Sequence, residues 1–408
     1  MGVSYNPRVV TDNLVFCIDT VNPKSFSPNV FSGSLDLYSW FSARSTPTNA
    51  CTISQDPSTG LSPAGGIPLK MSVTGNDPHI GSYAGSAWNI CPAANNQTWT
   101  VSTYVKGSVN TTGELFIFGA TAAGALAGAG GLAYNSGAID ITTEWTRVEY
   151  TFTFNSANVA YIQTRFDGPN SGGSGQTIWW DGMQLELSPS STRFNPTVNT
   201  NRSNLINLVG LGNNATLINT PTFNNGGFFE FTGANQFITL SSSLGLRNIP
   251  TYTLDCWVYV SSYGAARYTM YVETVPASTS RSSVLLSIET TGQARLAGRD
   301  SAGEAGSLVE YVFSASQVPL NAWTNIVAVY DSTTDVHKMY INGKLDNTAS
   351  VAATSMGTGT SSVLKINGTS GGTELMTGNL CIFKTYSVAL SNTQIEQNFN
   401  ALRRRFGV

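Results

Sequence analysis

Residues 338–346 read KMYINGKLD. Asn342-Gly343 stands between two short runs in which apolar and polar residues alternate. A type I′ turn needs positive φ at both central positions, which Asn and Gly supply at least cost, so the spacing predicts a two-residue β-hairpin. Immediately upstream is WTNIVAVYD (323–331), and strand-like runs continue on both sides. Downstream lie SVLKING (362–368) and LCIFKTY (380–386). Upstream lie TWTVSTYVKG (98–107), GELFIFG (113–119), EWTRVEYTFTF (144–154), AYIQTRF (160–166), TIWWDGMQLEL (177–187), GFFEFTGANQFITL (227–240), YTLDCWVYV (252–260) and SVLLSIET (283–290). Gly, Asn, Ser and Pro punctuate these β-branched and aromatic runs, the rhythm of sandwiches rather than of βαβ units. The expected fold is all-β, with two β-sandwich (jelly-roll) domains and one short C-terminal helix. TWTVSTYV followed by EWTRVEYTFTF, and YTLDCWVYV followed by AWTNIVAVY, repeat one layout of a long strand, a turn and a Trp-Thr that opens another long strand.

The helix is written at the chain's end. Ser391 and Gln394 form a capping box, and Ile395, Phe399 and Leu402 fall at i, i+4 and i+7 on one apolar face. The pattern runs to about Arg405, with Gly407 near the C-cap. Arg403, Arg404 and Arg405 then sit where cations favour the helix dipole, either as a solvated end or as contacts to an acidic partner.

Composition narrows the function. The 408 residues are 41% apolar and carry 11% aromatics, enough for packed cores. Charged residues make up 11%, where an ordinary globular chain has roughly 25%. A net charge of -3 and a pI near 5.5 remove the electrostatic footprint of a nucleic-acid binder. No stretch has the apolar length of a membrane span, and the opening MGVSYNPRVV has no apolar core of a signal peptide. The expectation is a soluble protein assembled in cytoplasm, with neither nucleic acid nor membrane as partner.

Cys17, Cys51, Cys91, Cys256 and Cys381 are five and widely spaced, which fits neither a disulfide framework nor a zinc site, and they read as small core hydrophobes. A glycosidase needs two carboxylates flanking the scissile bond. The nearest pair, Asp181 and Glu186, stands on opposite parity of one strand and so on opposite faces. His79 and His337 lack Ser/Asp or Cys/His company and read as lone surface histidines. Gly128, Gly130 and Gly131 do not form a phosphate-binding loop, and SGGSG (171–175) and TSGGT (369–373) are turn punctuation. No catalytic residue is expected.

In sequence, GFFEFTGANQFITL, YTLDCWVYV, NAWTNIVAVYD, MYINGKLD and LCIFKTYSVALSNTQIEQNFNALRRRFG resemble a laminin-G-like domain of the concanavalin A-like lectin/glucanase superfamily. The ending from Tyr386 onward resembles the version found in virion proteins of tailed bacteriophages. FSGSLDLYSWFSARSTPTNACTISQDPSTG, WTVSTYVKG, EWTRVEYTFTF and IWWDGMQLELSPSSTRFNPT resemble the carbohydrate-binding-module-like jelly roll of phage structural proteins. In such laminin-G-like domains an opening strand like VTDNLVFCIDTVNPKSFSP (10–28) is followed closely by something like NLINLVGLGNNATLINTPTF (204–223). The resemblance therefore implies an insertion, with residues 1–31 plus 198–408 as the laminin-G-like sandwich and 32–197 as the inserted jelly roll. It also implies a structural calcium held by Asp181 on the last jelly-roll strand, where Gly182 replaces a usual second Asp; no other cofactor is implied.

Sugar binding needs aromatic platforms with polar neighbours, and Trp40, Trp88 and Trp179 are the candidates. Trp99, Trp145, Trp257 and Trp323 open or occupy strands and are expected in the core. The combined expectation is a non-enzymatic phage virion protein, a capsid (head) or neck decoration or an appendage component, located in the virion. Its partners would be other virion proteins, with a homo-oligomer, a trimer first. The alternative is a tail-associated receptor-binding adhesin recognising host surface glycan.

Overall fold

A computed structural model describes residues 8–22, 25–26, 36–43, 50–57, 62–81, 86–126, 133–191, 193–194, 203–210, 212–219, 221–224, 227–274, 282–299, 308–352, 364–368 and 374–408. The chain divides into two compact units, Met1–Phe26 with Ser203–Val408, and Ser27–Arg202. The expected boundaries at 31/32 and 197/198 lie outside the described residues, as do Gly128, Gly130, Gly131 and the TSGGT run.

In the first unit, Thr251–Val260 pairs with Trp323–Asp331 on one side and Thr377–Tyr386 on the other. Val336–Ile341 and Lys344–Ser350 extend this sheet one way, Phe228–Thr232 and Thr222–Asn224 the other. Leu14–Asp19 pairs antiparallel with Thr377–Tyr386, Cys17 opposite Lys384. A second sheet runs through Asn204–Leu205, Ala215–Ile218, Phe237–Leu240, Leu364–Ile366, Tyr268–Thr274, Ser282–Ile288, Gln293–Gly298 and Val309–Gln317. Strand alternation sends Tyr252, Leu254, Cys256 and Val258 to the core between the sheets, against residues such as Tyr271 and Leu286.

The other side of Thr251–Val260 is buried as well, because helix Asn392–Phe406 lies on it. Trp257 stacks on Phe399 at 5.7 Å and on Phe406 at 4.0 Å. Ser391 and Gln394 form the capping box, and Gly407 ends the helix at φ 71°. The hairpin turns at Asn342 (φ 50°) and Gly343 (φ 73°), both left-handed as a type I′ turn demands. A Cβ on Gly343 would lie 2.7 Å from the Phe399 side chain, so glycine serves both the turn and the helix contact.

The second unit pairs Thr146–Thr153, Thr98–Gly107, Thr177–Glu186, Leu69–Val73 and Cys51–Gln55 in one sheet. The other is built on His79–Gly81, Tyr161–Asp167, Thr111–Ala120 and Ala133–Asn135. Trp99, Trp180 and Phe166 fill the space between them, the last two stacked at 4.8 Å. A short helix, Leu37–Ser42, capped by Asp36, buries Leu37, Trp40 and Phe41. One turn and a half carries too little periodicity to be read from sequence. Among the described residues, no helix is long and apolar enough to cross a membrane.

Candidate functional site

Strand Thr177–Glu186 turns Ile178, Trp180, Met183 and Leu185 into the core of the second unit and Trp179, Asp181, Gln184 and Glu186 to the opposite face. One bulge makes this so. Asp181 pairs with Tyr104 and Gln184 with Ser102, three residues against two, around Gly182 at φ 61°. The extra residue reverses the parity expected from sequence and puts Asp181 and Glu186 on the same face. They stand opposite Tyr104 and Thr100, four residues or roughly 13 Å apart along the neighbouring strand. That exceeds the spacing of a glycosidase pair. Both carboxyls are also buried and engaged, Glu186 with Gln184 at 3.2 Å.

Asp181 accepts from the Ser62 hydroxyl, from the Gly182 amide at 2.8 Å and from the Gly66 amide. Burial raises its pKa in spite of these donors. Amide hydrogens turned toward a carboxylate occupy the positions where a calcium ion would need oxygen ligands. The residues present therefore do not fit the calcium expected at Asp181, and no described cluster of three His, Cys, Asp or Glu side chains is arranged to hold a metal. The carboxyl instead braces the bulge.

Of the three candidate platforms, two are overturned. Trp40 and Trp88 are 8% and 3% exposed and pack edge-on at 6.1 Å inside the core, because the short helix and the turn that carry them lie under the sandwich. Trp179 is different. Its half-buried ring stands across from Lys70 on one neighbouring strand and Lys106 on the other. Its indole N–H donates to Asp56 at 3.0 Å, and Lys70 Nζ lies 3.7 Å from the same carboxylate. The result is an oriented aromatic edge with a lysine in register on either side. Sequence reasoning missed Asp56, Lys70 and Lys106. Lys106 sits at an outward position of an alternating run, but only strand register brings it beside Trp179.

The remaining candidates separate. Arg405 forms a two-pronged bond to Asp19, at 2.9 and 2.7 Å, and donates to Cys381 Sγ at 2.8 Å, so it ties the helix to the first strand of its own unit. Arg403 and Arg404 are exposed. His337 is buried, not a surface residue: Nδ1 accepts from the Asp331 amide at 3.3 Å and Nε2 faces the Val351 carbonyl at 3.1 Å. Stacked on Tyr330 at 5.0 Å, it is held neutral, and burial lowers its pKa. His79 is half-buried beside Asp77. Trp99 and Trp257 are in the core, whereas Trp145 and Trp323 are only half-buried, Trp145 just before strand Thr146–Thr153 and Trp323 at the start of Trp323–Asp331. All five cysteines are buried and free, and burial pushes the Cys17 and Cys51 thiols up to about 12 and about 11.

Residues 232–396 match the family model described as the concanavalin A-like lectin/glucanases superfamily, in its laminin-G form. This stretch is similar to a concanavalin A-like domain. It lies wholly within the first unit and takes in the hairpin and the start of the terminal helix. No curated protein matches the sequence. Among solved structures, the chain is similar to the binding domain of botulinum neurotoxin DC in complex with rat synaptotagmin II (13% identity, TM-score 0.39, 48% of this chain and 49% of that one). It is also similar to the botulinum neurotoxin type G receptor binding domain (17%, 0.36, 48% and 48%). A third is the Ruminococcus gnavus IT-sialidase CBM40 bound to α2,3-sialyllactose (19%, 0.35, 41% and 94%). The chain spans about half the length of the neurotoxin domains it matches.

Proposed function

We propose that this chain is a non-enzymatic component of a tailed-phage virion that contacts glycan on the host surface through the sheet face bearing Trp179. The observation that carries the glycan contact is the indole of Trp179, anchored by Asp56 and flanked by Lys70 and Lys106. An aromatic ring supplies the apolar surface on which the C–H face of a sugar packs, and the two ammonium groups supply donors to its oxygens. One platform gives a weak contact, so affinity would come from several copies in an oligomer, with a trimer as the first expectation. The phage assignment rests on the resemblance of the C-terminal stretch from Tyr386 to Gly407.

A second reading, a head or neck decoration whose partners are virion proteins alone, is favoured by the 11% charged composition. Such a surface leaves little charge to desolvate against neighbouring subunits. Binding of the intact chain to an array of bacterial surface polysaccharides separates the two. We expect binding that falls at least tenfold in Trp179→Ala and falls less in Asp56→Asn. No bound glycan, together with immunogold labelling of the head in purified particles, gives the second reading; glycan binding unchanged in Trp179→Ala moves the site elsewhere.

A further inference from the structure

Four polar side chains are buried where the terminal helix lies on the first unit's sheet: Asp255 on Thr251–Val260, Asn325 on Trp323–Asp331, Lys384 on Thr377–Tyr386 and Asn398 on the helix Asn392–Phe406. Each is 1% exposed. Lys384 Nζ lies 2.6 Å from Asp255 Oδ2, and Asn398 Nδ2 donates to the same oxygen at 3.3 Å. An amine and a side-chain amide thus converge on one carboxylate oxygen. The ammonium is poorly provided for, since it carries three N–H donors and, among the described residues, Asp255 is its only partner. A buried charge so short of acceptors is costly, and passing its proton to Asp255 leaves a neutral amine and a neutral acid in its place. The amide is prepared from the other side. Asn398 Oδ1 accepts from the Val10 amide at 2.8 Å, a fixed donor at the atom where charge gathers when a nucleophile attacks Cγ.

We infer that Lys384 and Asn398 are a self-modification site, joined by an intramolecular amide bond that the fold itself forms with Asp255 as proton carrier. The neutral Nζ attacks Cγ of Asn398, the Nζ–Cγ bond forms, and the Val10 N–H holds the negative charge on Oδ1. Asp255 gives its proton to Nδ2 and takes one from Nζ; the Cγ–Nδ2 bond breaks and ammonia leaves. An amine and a primary amide are exchanged for a secondary amide and ammonia, with no oxidant or cofactor. Holding both groups at one oxygen replaces a bimolecular encounter by an intramolecular one. Asn325 is the competing amide. It donates to Asp255 Oδ1 at 2.8 Å and to the Cys256 carbonyl at 3.1 Å, which aims the carboxyl, but its own Oδ1 is buried with no donor, so attack there leaves the charge unsupported. The Lys384–Asn398 bond fastens the terminal helix covalently to strand Thr377–Tyr386.

The test is intact-mass spectrometry of the full purified chain, followed by denaturation and digestion with a protease specific for glutamate. Cleavage after Glu374 and Glu396 puts Lys384 and Asn398 on separate peptides. The chain should weigh less than its sequence by one ammonia, and the two peptides should be recovered joined, with fragmentation placing the link at Lys384 and Asn398. Lys384→Arg, which keeps the cation and removes the nucleophile, should restore the full mass and release the peptides separately. Asp255→Asn, which removes the proton carrier, should do the same. If neither variant folds by circular dichroism, the digest of the parent chain decides alone. A parent chain of full mass overturns the inference. So does a chain short of one ammonia whose two peptides separate, which marks an imide elsewhere, and so does a link that carries Asn325.

Discussion

In the second unit, Asp167 on strand Tyr161–Asp167 pairs with His79 on one side and Glu114 on the other, and is 1% exposed. Burial pushes its carboxyl up to about 7, against the pull of Arg165 at 2.5 Å, with Asp77 and Glu114 adding to the rise. Because the folded pKa lies above the unfolded value of 3.8, the proton is held more tightly in the fold. The stability this contributes is full below about pH 4 and is lost as the pH rises toward 7. Asp167→Asn, which keeps an acceptor for Arg165, is therefore expected to raise the melting temperature above that of the parent chain. The gap should widen between pH 4 and pH 7 and then level off; a gap that is constant with pH contradicts the assignment. Gly343→Ala tests a single residue in the other unit. It should cost about 1–3 kcal/mol in urea unfolding, from left-handed strain and the clash with Phe399. Burial of His337 and the fate of Asp181 were not legible in the sequence, since neither depends on neighbours along the chain. One is decided by the packing of Tyr330, the other by a bulge.

At the scale of elements, the terminal helix was legible because its capping box and its 3.6-residue periodicity are local signals. Its attachment was not. Beneath it, Lys384 lies 2.6 Å from Asp255, and Asn325 and Asn398 donate to the same carboxylate at 2.8 and 3.3 Å. Asn398 also accepts from the Val10 amide at 2.8 Å and donates to the Tyr386 hydroxyl at 2.9 Å, which in turn donates to the Val10 carbonyl at 3.1 Å. One side chain thus serves a buried ion pair and clamps the segment leading into the first strand. Asn398→Ala leaves a buried amide and a buried carboxylate each short of a partner and should cost about 2–4 kcal/mol. Arg405→Ala, at a partly exposed pair, should cost about 1 kcal/mol. Urea midpoints rank the two; an equal effect would place the helix's hold at its exposed end instead.

For the whole molecule, the telling contacts are where the chain leaves the first unit and returns to it. The Ile206 amide donates to the Ser25 carbonyl at 2.7 Å, and the Ser25 hydroxyl donates to the Ile206 carbonyl at 2.9 Å. Cys17 and Leu208 continue this stem, the Leu208 amide donating to the Cys17 carbonyl at 2.9 Å. Everything between, Ser27–Arg202, forms its own compact unit. Replacing residues 27–202 by a short Gly/Ser linker should leave the first unit folded, because closing a shorter loop costs less entropy. Residues 27–202 alone should unfold in one cooperative transition. Calorimetry on both pieces is the check: a piece with no cooperative transition would mean that the units depend on each other.

The sequence by itself determined the all-β class, the Asn342-Gly343 hairpin and the terminal helix with its caps. Each follows from residues within a few positions of one another, where periodicity and turn chemistry operate. Only the tertiary structure decided which of these tryptophans keeps part of its ring at the surface, since Trp40, Trp88 and Trp179 look alike locally and differ in what packs over them. It also decided the companions of Trp179, because Asp56, Lys70 and Lys106 reach it through strand register, which no local signal carries. The bulge at Gly182 makes the same point most sharply. One unpaired residue turns every later side chain of the strand to the other face, and the energy that holds it comes from Ser62 and Gly66, more than a hundred residues away in the chain.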